Sequence, residues 1–305
     1  MVKYVPFDFL SSTDEVRIDA MAVVPEGDIR SVVQILHGMC EYKDRYYPFM
    51  EYLANKGCLV VIHDHRGHGN SINDMTELGY FYDGGAKGLI EDAHQLLTMV
   101  KSQVKDVPYI MIGHSMGSLI ARCLVQRYDY EINKLIILGS PSKIFGVEAL
   151  EAISPLILRK HGPKGHSKFL ENVVNSAYEG KFKEENLIHS WLTTDREVVE
   201  WFNANPKCNF CFTVNGYLEL GKLNIWTYSK KNWRVRNSSM PVLLLSGGDD
   251  PCYINRRAFG KSVHIFKDMG YTNVKAVLYK GLRHEILNEK SKKRVYRDIY
   301  DFIIK

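Results

Sequence analysis

The chain has 305 residues, 45% of them hydrophobic and 25% charged, with no low-complexity tract. That is an ordinary globular composition, long enough for one large core with an insertion. No apolar run approaches the roughly 18–20 residues of a membrane span, and the N-terminus lacks the charged, apolar, small-residue order of a signal peptide. A cytoplasmic protein is therefore expected. The net charge of +5 is mild and scattered, which argues against nucleic acid as a partner.

In chain order, residues 4–9 and 16–24 alternate loosely and predict two antiparallel strands, the second ending at Pro25-Glu-Gly27. Ser31–Leu36 is an apolar run that predicts a buried strand leading into His37-Gly38-Met39. Asp44 is expected to cap a helix carrying Tyr47, Met50, Leu53 and Ala54, which stops at Gly57. Cys58–Ile62 predicts another buried strand, and Leu89, Ala93, Leu96, Leu97 and Val100 share one helical face. Tyr109–Ile112 predicts a strand, followed by Gly113-His-Ser115-Met-Gly117 and then Leu119, Ile120, Leu124 and Val125 at helical spacing. Lys134–Leu138 makes one more strand. Strands alternating with helices indicate an α/β fold with a mostly parallel sheet flanked by helices.

The pattern breaks after Ser140-Pro141 and resumes only at Pro241–Leu245. Residues 141–239 hold helix-like stretches, with Val147, Leu150, Ile153 and Ile157 on one face and Val173, Val174 and Ala177 on another. They are expected to form a helical insertion between two parts of the core, residues 1–140 and 240–305. The insertion has fourteen Lys and Arg against ten Asp and Glu, a net of +4 that is most of the chain's excess. Such a face is either merely solvated or drawn to anionic interfaces. After it come a helix with Phe259, Val263 and Phe266, a strand at Ala276–Tyr279, and a last helix with Val295, Ile299, Phe302 and Ile303 on one face.

The chemistry centres on Gly113-His-Ser-Met-Gly117. A serine held on a sharp strand-to-helix turn forces backbones close together, so its flanks tolerate only small residues. Serine is a weak nucleophile until a base takes its proton, and the base works best when a carboxylate orients it. In an open α/β sheet such groups converge at the C-terminal ends of the strands. Asp249-Asp250-Pro251 and Arg283-His284-Glu285 each follow a late strand. Ser115, Asp250 and His284 are therefore the expected catalytic residues. Asp250 is preferred because a residue before proline is extended, which suits a side chain projecting from a strand end. Asp249 remains the alternative. His63, His65, His68 and His114 are read as structural hydrogen-bonders. The amides of Met116 and Met39 are the expected oxyanion donors, and Gly38 allows close approach of substrate. Val147, Leu150 and Ile153 are expected either to accept an acyl chain or to pack on the core. The six cysteines are expected as free thiols; Cys208 and Cys211 are the one pair with ligand spacing, but lack partners for a zinc site. The mechanism requires no metal or organic cofactor.

With those residues in hand, the sequence resembles the monoacylglycerol lipase and lysophospholipase branch of the α/β-hydrolases, often labelled serine aminopeptidases. The pieces are His37-Gly-Met39 with Glu41 and Arg45-Tyr46, Asp64-His-Arg-Gly-His-Gly-Asn-Ser71, Gly113-His-Ser-Met-Gly-Ser118, Asp250-Pro251, and Arg283-His-Glu-Ile-Leu-Asn-Glu289. The resemblance implies Ser115, Asp250 and His284 as the triad, Met39 and Met116 as the oxyanion hole, and residues 141–239 as a cap over the site. Tyr42 departs from the histidine the branch often has there. The expected function is hydrolysis of a single-chain lipid ester, with transient contact of the cap with a membrane or micelle surface. The alternatives are a serine aminopeptidase, which needs carboxylates such as Asp195, Glu197 or Glu200 at the site, a general small-ester esterase, and a non-catalytic ligand-binding fold.

Overall fold

Strands β1 (Lys3–Leu10) and β2 (Arg17–Val24) pair antiparallel, Lys3 against Val24 and Leu10 against Arg17. They border one edge of an eight-stranded sheet. The apolar runs become β3 (Ser31–Leu36), β4 (Cys58–His63), β5 (Tyr109–His114), β6 (Lys134–Leu138), β7 (Val242–Gly247) and β8 (Val274–Tyr279). The sheet order is β1-β2-β4-β3-β5-β6-β7-β8, and every pairing from β4 to β8 is parallel. This is a computed structural model, and it describes residues 1–305 apart from Asn232 and the side chains of residues 175–177.

Both faces of the central strands are covered, which is why they read as near-continuous apolar runs. Val33, Ile35, Val60, Ile62, Ile110 and Ile112 face α1 (Tyr47–Ala54) and α9 (Lys292–Ile304). Their alternates Val32, Leu36, Leu59, Val61 and Met111 face the opposite layer, which contains α2 (Gly85–Gln103), α3 (Met116–Tyr128) and α8 (Arg256–Asp268). One expectation at α1 fails. Asp44 lies within a 3-10 turn, Lys43–Tyr46, and α1 begins after it without a side-chain cap. Pro48 in the first turn supplies the fixed φ that starts the helix.

Between β6 and β7 the chain forms α4 (Val147–His161), α5 (Lys168–Glu179), α6 (Arg196–Ala204) and α7 (Val214–Tyr228), a helical insertion after the sixth strand. The last two lack a sequence signature that names them. Helix α7 is buried on several sides, so it carries no single apolar stripe, and glycines interrupt it. Gly216 permits contact with the chain beneath, because a Cβ there would lie 2.0 Å from Gly79 O. The helix is bonded directly to the core: Gln126 Nε2 donates to Trp226 O (2.9 Å) and Arg122 Nη1 to Tyr228 Oη (3.2 Å). Ala177 of the second apolar face lies outside the described residues.

The expected acyl-binding face of α4 is corrected by its packing. Val147 and Leu150 lie against Leu218 and Gly221 of α7, with Val147 Cγ2 only 3.3 Å from where a Gly221 Cβ would be. Ile153 is 42% exposed. The α4 face is used to join two helices of the insertion and does not line the cavity with Ser115. Among the described residues no helix is long and apolar enough to cross a membrane.

Candidate active site

Because β3, β5, β7 and β8 run parallel, the turns after them meet at one edge of the sheet. Ser115 occupies the turn between β5 and α3 with φ of +50° and ψ of −118°, a region that side chains other than glycine rarely adopt. The flanking glycines are required by contact. A Cβ at Gly117 would sit 2.1 Å from Leu36 O, and one at Gly113 would sit 2.5 Å from Gly117 O. The steric logic of the pentapeptide is therefore visible atom by atom: the end of β3 and the start of α3 leave no room beside the serine.

Asp250 and His284 come together in the buried interior. His284 Nδ1 lies 3.1 Å from each Asp250 carboxylate oxygen. Asp250 Oδ2 also accepts from the Ser246 hydroxyl (2.7 Å) and Oδ1 from the Cys252 amide (2.8 Å). Burial by itself would raise the Asp250 carboxyl, but the imidazole, the hydroxyl and the amide hold it below its ordinary range. For His284 burial opposes the charged ring, and the Asp250 carboxylate overrides it, leaving the imidazole above its ordinary value. Asp249 is exposed, and its amide donates to Leu282 O (2.9 Å). Of the two candidates it is Asp250 that meets the histidine.

The ring of His284 is held on several sides. Gly139, at φ of +52°, leaves it space, since a Cβ there would be 3.1 Å from Nδ1. Trp191 and His114 pack on it with ring centroids 5.1 and 4.9 Å away. Ser115 and His284 line the same cavity, and among the described residues no hydrogen bond yet joins them. The Gly38 amide donates to Glu41 Oε1 (2.5 Å). The amides of Met39 and Met116, which border that cavity, have no acceptor among the described residues.

A buried polar network fixes this edge. Glu41 accepts from the Tyr46 hydroxyl (2.8 Å) and from Arg45 Nη1 (2.7 Å), and its Oε1 lies 3.0 Å from His114 Nδ1. Arg45 forms a two-pronged pair with Glu285 (2.7 and 2.6 Å), the residue next to His284. Glu41 is held low despite its burial by His114 and Arg45, so the network carries fixed charges. The motif residues Glu41, Arg45 and Glu285 were legible in the sequence, but their mutual contact was not, because 240 positions separate Arg45 from Glu285.

The cavity has a volume of about 90 Å³ and its wall is mainly apolar, with Leu119, Val174, Tyr178, Phe210 and Leu220 beside the polar groups. Tyr178, Trp191 and Phe210 are residues of the helical insertion that the sequence did not single out, because no periodic pattern marks them. Cys40 and Cys252 both reach this cavity, and burial raises both thiols, which makes them poor nucleophiles. Asp195 and Glu200 do not line it, and Glu197 borders a separate cleft beside Tyr42 and Trp201. Glu179 does line it, but its carboxylate already accepts from the His189 amide (3.1 Å) and Trp191 Nε1 (3.1 Å). Among the described residues one group gathers metal-ligand atoms, Asp250, Cys252 and His284 within 4.8 Å, and a cation there would have to replace the Asp250–His284 hydrogen bond. Cys208 is buried and Cys211 exposed, both as free thiols.

Comparison with known proteins agrees with this architecture. Residues 27–291 match the family profile of serine aminopeptidase S33. A monoacylglycerol lipase of Mycolicibacterium smegmatis is 26% identical over 95% of this chain and 93% of its own. A probable lysophospholipase L2 of Haemophilus influenzae is 22% identical over 98% of this chain and 92% of its own. Among solved structures, a thermostable carboxyl esterase from Bacillus coagulans, in complex with glycerol, superposes with a TM-score of 0.88 at 25% identity over 99% of this chain and 98% of that one. A soluble variant of monoglyceride lipase from Saccharomyces cerevisiae, in complex with a substrate analog, gives 0.72 at 18% identity over 98% and 94%, a likeness of fold. The chain belongs to the serine aminopeptidase S33 family of α/β-hydrolases, in the branch that holds proteins named monoacylglycerol lipase and lysophospholipase.

Proposed function

We propose that the protein is a serine carboxylic-ester hydrolase that cleaves single-chain lipid esters, a monoacylglycerol or lysophospholipid, through an acyl-enzyme on Ser115. The observation that carries this reading is the buried Asp250–His284 pair opening onto the same apolar cavity as the strained Ser115. Lipase and lysophospholipase names among relatives that span most of the chain support the substrate class.

In this mechanism Ser115 Oγ attacks the ester carbonyl as His284 Nε2 takes its proton. The imidazolium that forms is stabilised across Nδ1 by Asp250, and it returns the proton to the departing alcohol. A water, deprotonated by the same Nε2, then attacks the acyl-serine and releases the fatty acid. The Met39 and Met116 amides receive the oxyanion in both halves, each donor contributing about 3–4 kcal/mol. Ser115 and His284 close their hydrogen bond as the Michaelis complex forms. Residues 141–239 act as a cap, and its helices part to admit the chain, since about 90 Å³ is well below a pocket for a drug-sized ligand (roughly 300 Å³ and upward). Phe145, Leu156 and Phe169 project from the cap, 103%, 69% and 56% exposed, and would touch the membrane or micelle that supplies the ester. Six free thiols support a reducing, cytoplasmic setting.

The test compares wild type with Ser115→Ala on monoacylglycerols and lysophospholipids of graded chain length, with an amino-acid anilide beside them. Lipid hydrolysis that vanishes in the variant is the expected result. A preference for acetyl over long acyl esters would reduce the reading to a general esterase, and turnover of the anilide alone would replace it with a peptidase.

A further inference from the structure

A second concavity lies on another part of the molecule. Ser115 precedes the first residue of α3, whereas Arg127 is in its last turn, roughly 18 Å further along the axis at 1.5 Å per residue. Beyond that end is a groove of about 540 Å³ lined by Arg127, Lys231, Arg234 and Arg236. Here the positive excess of the insertion finds a location: residues 229–239 include four basic residues, Lys230, Lys231, Arg234 and Arg236, and no acidic one. Among the described residues, Lys231, Arg234 and Arg236 have no carboxylate within 4.0 Å, and Arg127 has only Glu91 at 3.8 Å. All four are exposed.

Charge alone would be a solvated surface, but this groove also has fixed aromatic walls. Tyr128 stacks on His94, ring centroids 3.7 Å apart and 9° from parallel. Trp233 is anchored edge-on to Phe266 (5.7 Å) and Tyr271 (6.0 Å), and its Nε1 donates to Ser229 O (2.9 Å). The Arg236 guanidinium lies over Tyr130 at 4.8 Å. The backbone between these walls is tied to the core, since the Arg234 amide donates to Gln126 O (2.7 Å) and the Arg236 amide to buried Asp129 (3.0 Å to Oδ2). Unpaired guanidinium groups match phosphate oxygens, and rigid aromatic faces accept a planar ring at small entropic cost.

We propose that this groove binds a soluble organic phosphate that carries a planar ring, of the nucleoside di- or triphosphate class. The phosphates pair with Arg234, Arg236 and Lys231, and the ring lies against Trp233 or Tyr128. The site is independent of the ester hydrolysis described above.

Isothermal titration calorimetry of the full chain tests it with three probes: ATP, inorganic tripolyphosphate and phosphatidylglycerol vesicles. Saturable one-to-one binding of ATP is expected, tighter than tripolyphosphate and weakened by added salt. An Arg234→Glu, Arg236→Glu double variant should lose about tenfold or more in ATP affinity, the scale of a charge-assisted contact, while Lys3→Glu leaves it unchanged. Both targeted side chains are exposed, so unfolding is not expected, and an unaltered rate on monoacylglycerol verifies the fold of the variant. No heat with ATP, equal affinity in the double variant, or tripolyphosphate binding as tightly as ATP would overturn the proposal. Binding to vesicles alone would overturn it in favour of a membrane headgroup contact.

Discussion

Replacing Asp250 with asparagine tests the site at one atom. The Cys252 amide donates to Oδ1 at 2.8 Å, so the oxygen of an asparagine must stay on that side. The new NH₂ group then takes the Oδ2 position, 2.7 Å from the Ser246 hydroxyl and 3.1 Å from His284 Nδ1. Ser246 can rotate its proton away and accept. His284 Nδ1 then faces an amide oxygen and an NH₂ group, each at 3.1 Å, where it had an anion, so the hold on the ring with its proton on Nδ1 and Nε2 free to take the serine proton is weakened. The charge that stabilised the imidazolium is also gone. An asparagine in this role in a serine triad lowers kcat by about 10⁴, equivalent to about 5.5 kcal/mol at about 1.4 kcal/mol per tenfold. The sign of the pH effect follows from the same contact. His284 is held above its ordinary value by Asp250, and it is active only when neutral, so wild-type activity rises with pH through a limb above 6.5. Without the carboxylate, burial is opposed only by the lesser pull of Glu285 and Glu41, and the residual activity of Asp250→Asn should rise through a more acidic limb. Steady-state kinetics on a monoacylglycerol across pH, with Asp249→Asn as control, gives both numbers. A variant retaining a tenth of wild-type kcat, or an unmoved limb, would refute the assignment. Exposed Asp249 should tolerate its amide within about twofold, as surface positions do.

Three further changes address other parts of the argument. Gly117→Ala would place a Cβ 2.1 Å from Leu36 O and 2.5 Å from His37 O; overpacking of this kind costs about 1–3 kcal/mol or more, to be read from urea unfolding, and a neutral result would mean that the elbow does not need its glycine. Lys43→Met leaves the buried carboxylate of Asp64, now 2.9 Å from Lys43 Nζ, and that of Asp19 without their cation; a loss of about 3–5 kcal/mol in unfolding free energy is expected, and less than about 1 kcal/mol would show the pair to be solvated. Leu220→Trp adds bulk to the wall of the cavity that Ser115 also lines. It should lower kcat/KM for long acyl esters about tenfold, the scale of one or two methylenes in a hydrophobic pocket, while acetyl esters change little; an equal fall on both would place the acyl chain elsewhere.

The sequence determined the sheet and its chemistry-bearing turns. Residues buried on both faces must be apolar throughout, so β3 to β7 stand out as runs, and the elbow glycines are forced by sub-3 Å backbone contacts that no side chain could share. Polar residues just past strand ends were legible for a related reason: parallel strands send their C-terminal ends to one edge, and the chain order of Ser115, Asp250 and His284 survives in the structure. What the sequence left open was decided by contact between distant segments. Asp249 and Asp250 differ only in which one the backbone turns inward. Helix α4 has an apolar face in either role, and only the position of α7 sends Val147 and Leu150 toward Leu218 and Gly221 and away from the cavity. Arg45 and Glu285 belong to separate motifs, and only the fold shows that they are buried against one another at 2.6 Å. The basic residues at 230–236 likewise gain an aromatic frame only because the end of α3 brings Arg127 and Tyr128 beside them. Periodicity reports how one segment meets an average interior; it carries no information about which partner stands there, and the helical insertion is the part of this protein whose packing depends most on such partners.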